Sequence, residues 1–322
     1  MNKPKVALFA PDWAVEKVFD ESHLRKIKER CELIDLRFKN SIDTQSQLSG
    51  IDYILSSWGM PLMNEEFFSH ANSLKGVFYA AGSVKGFVTD EVWKRGVIIS
   101  SAAIVNAIPV AEYTLGVILL ANKRFFQTAA GIKEYHAMPG NYRSSIGIIS
   151  ASLVGRQVMK LLANFEFEIS LYDPFVTEEE ALALGAKKVS LEDVMKCNIV
   201  SLHAPNLPQL YKLINANLFS LMPEGATFIN TARGALVDEA ALLNELQSGR
   251  IYAVLDVTEP EPPVADSPFY TLKNCIYTPH IAGSLGDECK RMASFEIDEM
   301  FRVIDGKKLR NQVTADIVSR LA

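Results

Sequence analysis

The chain is expected to be an α/β protein made of two doubly wound parallel sheets. Three observations carry that expectation. Short apolar runs alternate with stretches of helical spacing along most of the 322 residues, as in parallel strands with helices on both faces. One long apolar stretch, residues 106–123, stands between two such alternations. The segment from Ser145 to Asp173 reads as strand, small-residue turn, helix, strand and acid, the layout of a dinucleotide-binding βαβ unit. Both halves are therefore read as Rossmann-like.

In the first half, strands are expected at 6–9, 32–36, 53–56, 77–80 and 97–100, with helices near 15–28 and 65–71. Ala80-Ala81-Gly82-Ser83 follows a strand and is small enough for the backbone to approach a ligand. Residues 106–123 read as a long apolar helix with Pro109 in its first turn, carrying the crossing between domains. Met138-Pro-Gly-Asn141 is a loop cluster. The second half gives strands at 146–149, 168–172, 199–203, 227–230, 252–256 and 276–278. Its helices fall at 178–183, 191–196 and 238–247, the last stopped by Gly249. A final helix, 289–304, ends at Gly306 and is read as returning to the first domain. That return makes the outer, flavodoxin-like domain discontinuous, 1–100 plus 287–322, around an inner domain of 101–286.

The composition is that of an ordinary globular protein, 48% hydrophobic and 22% charged. A net charge of −5 offers no general basic field, so nucleic acid is not an expected partner. Cys31, Cys197, Cys275 and Cys289 are far apart and are read as reduced structural thiols in a cytoplasmic protein. The N-terminal apolar run is too brief for a signal peptide. The most membrane-like stretch, 102–121, contains Asn106, Pro109 and Glu112, so it is read as a buried or interface helix rather than a span. No metal site is assigned.

The turn after the 146–149 strand reads Ser150-x-Ser152-x-x-Gly155 where a dinucleotide fingerprint has three glycines. Gly155 allows close helix–strand packing. Ser150 must take the tight turn that glycine prefers. Ser152 sets a hydroxyl where a pyrophosphate would approach, and the helix N-terminus still offers free N–H groups to an anion. Asp173 lies 18 residues past Gly155, near where an acid accepts hydrogen bonds from a ribose.

Three further residues follow successive strands. Arg233 sits in Asn-Thr-Ala-Arg-Gly, Glu261 in Asp-Val-Thr-Glu-Pro-Glu-Pro and His280 in Thr-Pro-His-Ile-Ala-Gly. Residues leaving one sheet edge converge. Arginine offers a planar donor fork for a carboxylate. Histidine exchanges a proton near neutral pH, and a neighbouring carboxylate orients its ring. Any one of the three alone reads as a surface, loop or structural residue. His203 ends a strand on the same side and is a candidate lining residue; His23, His70 and His136 are assigned nothing.

These three segments resemble the signatures of the D-isomer-specific 2-hydroxyacid dehydrogenase family. Val200-Ser-Leu-His203-Ala-Pro, Val237-Asp-Glu-Ala-Ala-Leu-Leu, Val110-Ala-Glu112-Tyr-Thr-Leu and Ala81-Gly82-Ser83-Val84 fit as well. The likeness covers nearly the whole chain and is densest from Ser145 to Ser284. It implies an outer substrate domain and an inner NAD-binding domain with a cleft between them, NAD as cofactor, and interconversion of a 2-keto acid and a D-2-hydroxy acid. It implies Arg233 as carboxylate clamp, His280 as acid/base and Glu261 as its partner, with Glu259 second. Ala81 and Gly82 N–H groups take the other side of the substrate carboxylate. Ser152, Leu153, Val154 and Gly155 meet the pyrophosphate and Asp173 the ribose, with NAD preferred over NADP. His203, Thr231, Ala232, Asp256 and Gly283 complete the cofactor set. Pocket walls are expected near Trp58, Met60 and Tyr270.

The departures are Ser150 and Ser152 for glycines, and a link from Lys123 to Ser145 shorter than the family norm. A homodimer is expected, its contact reduced. Two other readings stay open, an NAD(H)-sensing corepressor-like regulator of the same fold and a member with impaired cofactor binding.

Overall fold

The computed structural model describes residues 3–39, 45–133 and 139–318. The expected position His136 and the first residue of the 138–141 loop lie outside the described residues. The chain divides into two compact units, Met1–Asn106 with Ser284–Leu321, and Ala107–Gly283. The divisions fall at 106/107 and 283/284, where the sequence reading set 100/101 and 286/287.

The first unit holds a six-stranded sheet. Its strands are β1 (Lys5–Leu8), β2 (Glu32–Asp35), β3 (Tyr53–Ser56), β4 (Gly76–Tyr79), β5 (Ile98–Ser101) and one that pairs late. The first five are parallel in the order β2-β1-β3-β4-β5, the flavodoxin-like winding. β3 and β4 are buried along their whole length, as strands covered on both faces must be. One face packs Phe9, Ile54, Met63, Phe67 and Val77. The other packs Val6, Leu8, Leu55 and Phe78 against Cys289, Met292, Ala293, Ile297 and Met300 of the helix Asp287–Ile304. That apolar stripe is what draws the C-terminal helix back to the first unit.

Three expectations need correction here. The single helix at 15–28 is two, Asp12–Val18 and Glu21–Arg30. Asp20 leaves helical geometry and its carboxylate accepts from the Ser22 and His23 N–H groups, while the His23 ring accepts from the Asp20 N–H. A capped start within the apolar run therefore ends one helix and begins another. The long helix runs Ala103–Ala121, with Ser101 Oγ accepting from the Ala103 N–H. Pro109 thus sits inside the helix, beyond its first turn. Finally, Gln312–Val313 adds an antiparallel edge to β5, which the parallel reading did not contain.

Among the described residues the second unit holds seven strands, all parallel. They are β6 (Ser145–Ile149), β7 (Glu168–Tyr172), β8 (Lys187–Lys188), β9 (Ile199–Leu202), β10 (Thr227–Asn230), β11 (Tyr252–Leu255) and β12 (Cys275–Tyr277). The order is β8-β7-β6-β9-β10-β11-β12, the winding of a dinucleotide-binding sheet. Only the two-residue β8 was not foreseen. The apolar helix packs Ala111, Val117, Ile118 and Ala121 into the core beside β6. Among the described residues it is the one helix long and apolar enough to cross a membrane by length and composition. In register, Asn230 lies opposite Leu255, and Leu255 opposite Tyr277. The chain therefore leaves β10, β11 and β12 side by side at one level. The four cysteines are buried and unpaired, and burial pushes the Cys275 thiol up to about 12.

Candidate active site

The second unit brings the three chemistry-bearing residues of the sequence reading together. His280 Nδ1 lies 2.6 Å from Glu261 Oε1. Nε2 has no hydrogen-bond partner among the described residues and the ring is 46% exposed. Glu261 is close enough to Arg233 to act on its charge. Burial pushes the Arg233 guanidinium down, and Glu261 pushes it back up. Glu259, ranked second, turns elsewhere and uses its N–H on Glu239 Oε1 at 2.7 Å. Burial raises the Glu239 carboxyl above its ordinary range.

Each side chain is set by a local device. Asn230 ends β10 buried, and its amide spans the following turn. Oδ1 accepts from the Ala232 N–H at 3.0 Å and Nδ2 donates to the Arg233 carbonyl at 3.0 Å. This is an Asx-type closure, and it commits the N–H of Ala232, a residue expected in the cofactor set. Gly234 follows. A Cβ there would stand 2.0 Å from the Thr258 carbonyl carbon and 2.5 Å from the Glu259 nitrogen. The Arg233 turn is thus packed backbone to backbone on the run that carries Glu261. In that run the Glu259–Pro260 and Glu261–Pro262 peptides are cis, and the Thr258 hydroxyl donates to the Pro260 carbonyl.

His280 takes a left-handed backbone, φ 55°, and its N–H donates to the Asp256 and Thr278 carbonyls. Asp256 is 1% exposed. One of its oxygens accepts from the Thr278 hydroxyl at 2.6 Å and the Ile281 N–H at 2.8 Å, the other from the Ala282 N–H at 3.0 Å. The Thr278 hydroxyl also meets the Tyr113 hydroxyl at 2.9 Å. Asp256, expected to face the cofactor, therefore fastens the His280 loop through a buried charge-assisted network. Gly283 closes that loop, half-buried. Sequence reasoning missed Asn230, Tyr113 and Thr278 as supports; an Asn at a strand end before a tight turn was the available signal.

The dinucleotide turn fits an NAD pyrophosphate and ribose on three counts. Ser152 caps the helix Leu153–Leu162, its Oγ accepting from the Gly155 N–H at 3.3 Å. The Leu153 and Val154 N–H groups have no partner among the described residues, so an anion would complete them. Gly155 is required, because a Cβ would meet the Ser150 carbonyl oxygen at 2.1 Å. Asp173, 7% exposed, follows β7 beside this turn. His203 follows β9, its N–H donating to Ile149 and its Nε2 lying 2.9 Å from Ser201 Oγ. Burial pushes its ring down to about 3, keeping it neutral, and its buried Nδ1 has no partner among the described residues. Thr231 is half-buried, with its hydroxyl 3.4 Å from that of Thr114.

Residues 115–282, just over half of the chain, match the profile of the D-isomer specific 2-hydroxyacid dehydrogenase NAD binding domain. The chain belongs to the D-isomer specific 2-hydroxyacid dehydrogenase family. Its second unit is accordingly the NAD-binding domain of that family, and NAD its cofactor. Among curated proteins it is similar to D-3-phosphoglycerate dehydrogenase of Methanocaldococcus jannaschii, 31% identical over 260 residues, or 78% of this chain and 49% of that one. The corresponding Bacillus subtilis protein is 28% identical over 297 residues, 90% of this chain and 56% of that one. The chain spans about half the length of the curated relatives it matches. Among solved structures, TT0316 protein from Thermus thermophilus aligns with a TM-score of 0.76 at 25% identity, over 96% of this chain and 100% of that one. Holo D-mandelate dehydrogenase from Rhodotorula graminis aligns at 0.81 and 21% identity, over 97% and 98%, a likeness of fold.

In the first unit, the expected substrate donors Ala81 and Gly82 differ from each other. The Ala81 N–H is already given to the Tyr79 carbonyl at 2.8 Å, which corrects that assignment. The Gly82 N–H has no partner among the described residues. Trp58 is half-buried and stacks on the exposed Trp13 at 6.3 Å, and Met60 is buried. In the second unit, exposed Tyr270 bonds the Pro263 carbonyl through its hydroxyl.

Proposed function

We propose that this chain is an NAD-dependent dehydrogenase interconverting a small 2-keto acid and a D-2-hydroxy acid. The observation that carries the reading is the 2.6 Å contact between His280 Nδ1 and Glu261 Oε1, with the half-buried Arg233 guanidinium close enough to Glu261 to feel its charge. The cofactor held there would supply hydride to the carbonyl carbon in its reduced form, NADH, and would accept it in its oxidised form, NAD+, in the reverse direction. The residues present do the rest. Arg233 holds the substrate carboxylate through its donor fork. With Glu261 on Nδ1, His280 presents Nε2 to the reacting oxygen, giving a proton as the carbonyl is reduced and taking it back when the alcohol is oxidised. Glu261 fixes the ring and supports its charged form. Asp256 and Asn230 keep the two turns in place.

The relatives named D-3-phosphoglycerate dehydrogenase put a phosphorylated three-carbon acid among the substrates to try. The test is steady-state oxidation of NADH by the purified full chain on a panel of 2-keto acids of increasing size, phosphorylated and sugar-derived ones included. The reading expects turnover on at least one member. NADH binding with no turnover across the panel would favour an NAD(H)-sensing protein of the same fold.

A further inference from the structure

Ser150 stands at the first glycine position of a dinucleotide fingerprint, and it adopts φ 80°, a region that side-chain-bearing residues avoid. Strain kept at a cofactor turn calls for a use. That conformation carries the Ser150 hydroxyl to Asp173, where it donates to Oδ2 at 3.2 Å. The Ala151 N–H donates to the same oxygen at 2.8 Å, and the Phe175 N–H to Oδ1 at 2.8 Å. A carboxylate offers about four acceptor positions. Three are taken by the chain itself, and the one left is on Oδ1.

We propose that Ser150 is a positioning residue that sets nucleotide selectivity by fixing the Asp173 carboxylate in place. A 2′-hydroxyl donates to the remaining acceptor. A 2′-phosphate has no proton to give, brings like charge, and requires the carboxylate to swing aside. Three donors on a 7% exposed residue oppose that swing, and Ser150 supplies the only one of the three that comes from a side chain. The proposal rests on NAD binding by the second unit and goes beyond it in naming what holds the acid.

The test is fluorescence titration of NADH and NADPH into the full-length wild type, Ser150→Ala and Ser150→Gly, with a thermal melt of each. Wild type is expected to prefer NADH. In Ser150→Ala the preference narrows about tenfold or more, the worth of one hydrogen bond to a charged acceptor. Ser150→Gly, which suits the left-handed backbone, narrows it as well and carries the comparison if the alanine variant does not fold. A merely structural role would weaken both nucleotides together and leave their ratio fixed. A wild type that binds NADH, with an unchanged ratio in both variants, overturns the proposal alone. A wild type that binds neither nucleotide overturns it together with the NAD reading.

Discussion

Gly234→Ala tests the packing that holds the site together. The added methyl carbon would stand 2.0 Å from the Thr258 carbonyl carbon, 2.3 Å from its oxygen and 2.5 Å from the Glu259 nitrogen. Carbon atoms in contact rest about 3.5–4.0 Å apart, so backbone must give way by more than about 1 Å. None of the three atoms is a flexible side-chain end. Overpacking of this kind costs about 1–3 kcal/mol, which in a protein of this size lowers the melting temperature by roughly 1.5–4.5 °C. The displaced segment carries Glu261, whose 2.6 Å contact with His280 does not survive a shift of that size. A misplacement of about 1 Å costs on the order of 10²-fold in rate. A melt followed by circular dichroism, with kcat on the best keto acid, reads both effects. Wild-type melting and wild-type turnover in the variant would refute the claim that this glycine couples the Arg233 turn to the Glu261 run.

The two carboxylates of that run separate cleanly. Glu261→Gln replaces a charge-assisted bond to His280 by a neutral one of about half its strength, and kcat is expected to fall about tenfold. Glu259→Gln, at a residue with only a backbone contact to Glu239, should stay within about twofold of wild type; the opposite ranking in steady-state assays would reassign the orienting role. Glu296, fully buried and with neither carboxyl oxygen in a well-formed hydrogen bond among the described residues, the Ser100 hydroxyl being its polar neighbour, links stability to pH. Burial holds its carboxyl well above the ordinary 4.5, with Glu299 adding to the rise. The folded chain therefore keeps a proton that the unfolded chain releases, and this contribution is full below about 4.5 and is lost as pH rises toward the folded value. Melting temperatures of wild type should fall with rising pH above that point relative to Glu296→Gln, and parallel curves would show that the carboxyl is not held neutral.

The gathering of Arg233, Glu261 and His280 was legible because the second unit is regular. Arg233, Glu261 and His280 each follow an apolar run that becomes a strand, and parallel register sets the ends of those strands side by side. What was not legible depended on single hydrogen bonds. The break at Asp20 hid because Val15, Val18, Phe19 and Ile27 keep an apolar rhythm across it, and the capping box closes with His23 instead of the usual glutamate or glutamine. Gln312–Val313 is two residues long, too short for any period, and it pairs only because the C-terminal helix has returned to the first unit. The bond from the Ala81 N–H to the Tyr79 carbonyl spans only two residues and leaves no mark in the sequence pattern. Asp256 and Asn230 illustrate the deeper limit. A polar residue at a strand end reads the same in sequence whether or not it pins the loop beside it, and Asp256 and Asn230 do pin theirs.

The most direct measurement is His280→Ala in the purified full chain, with NADH binding by fluorescence and turnover on the keto acid that wild type reduces fastest. Removing a positioned acid/base costs about 10²–10⁴-fold, while the dinucleotide turn at Ser150–Gly155 is untouched. A fall in kcat of that order is expected, with NADH affinity within about twofold of wild type. Turnover that remains near normal in the variant would contradict it.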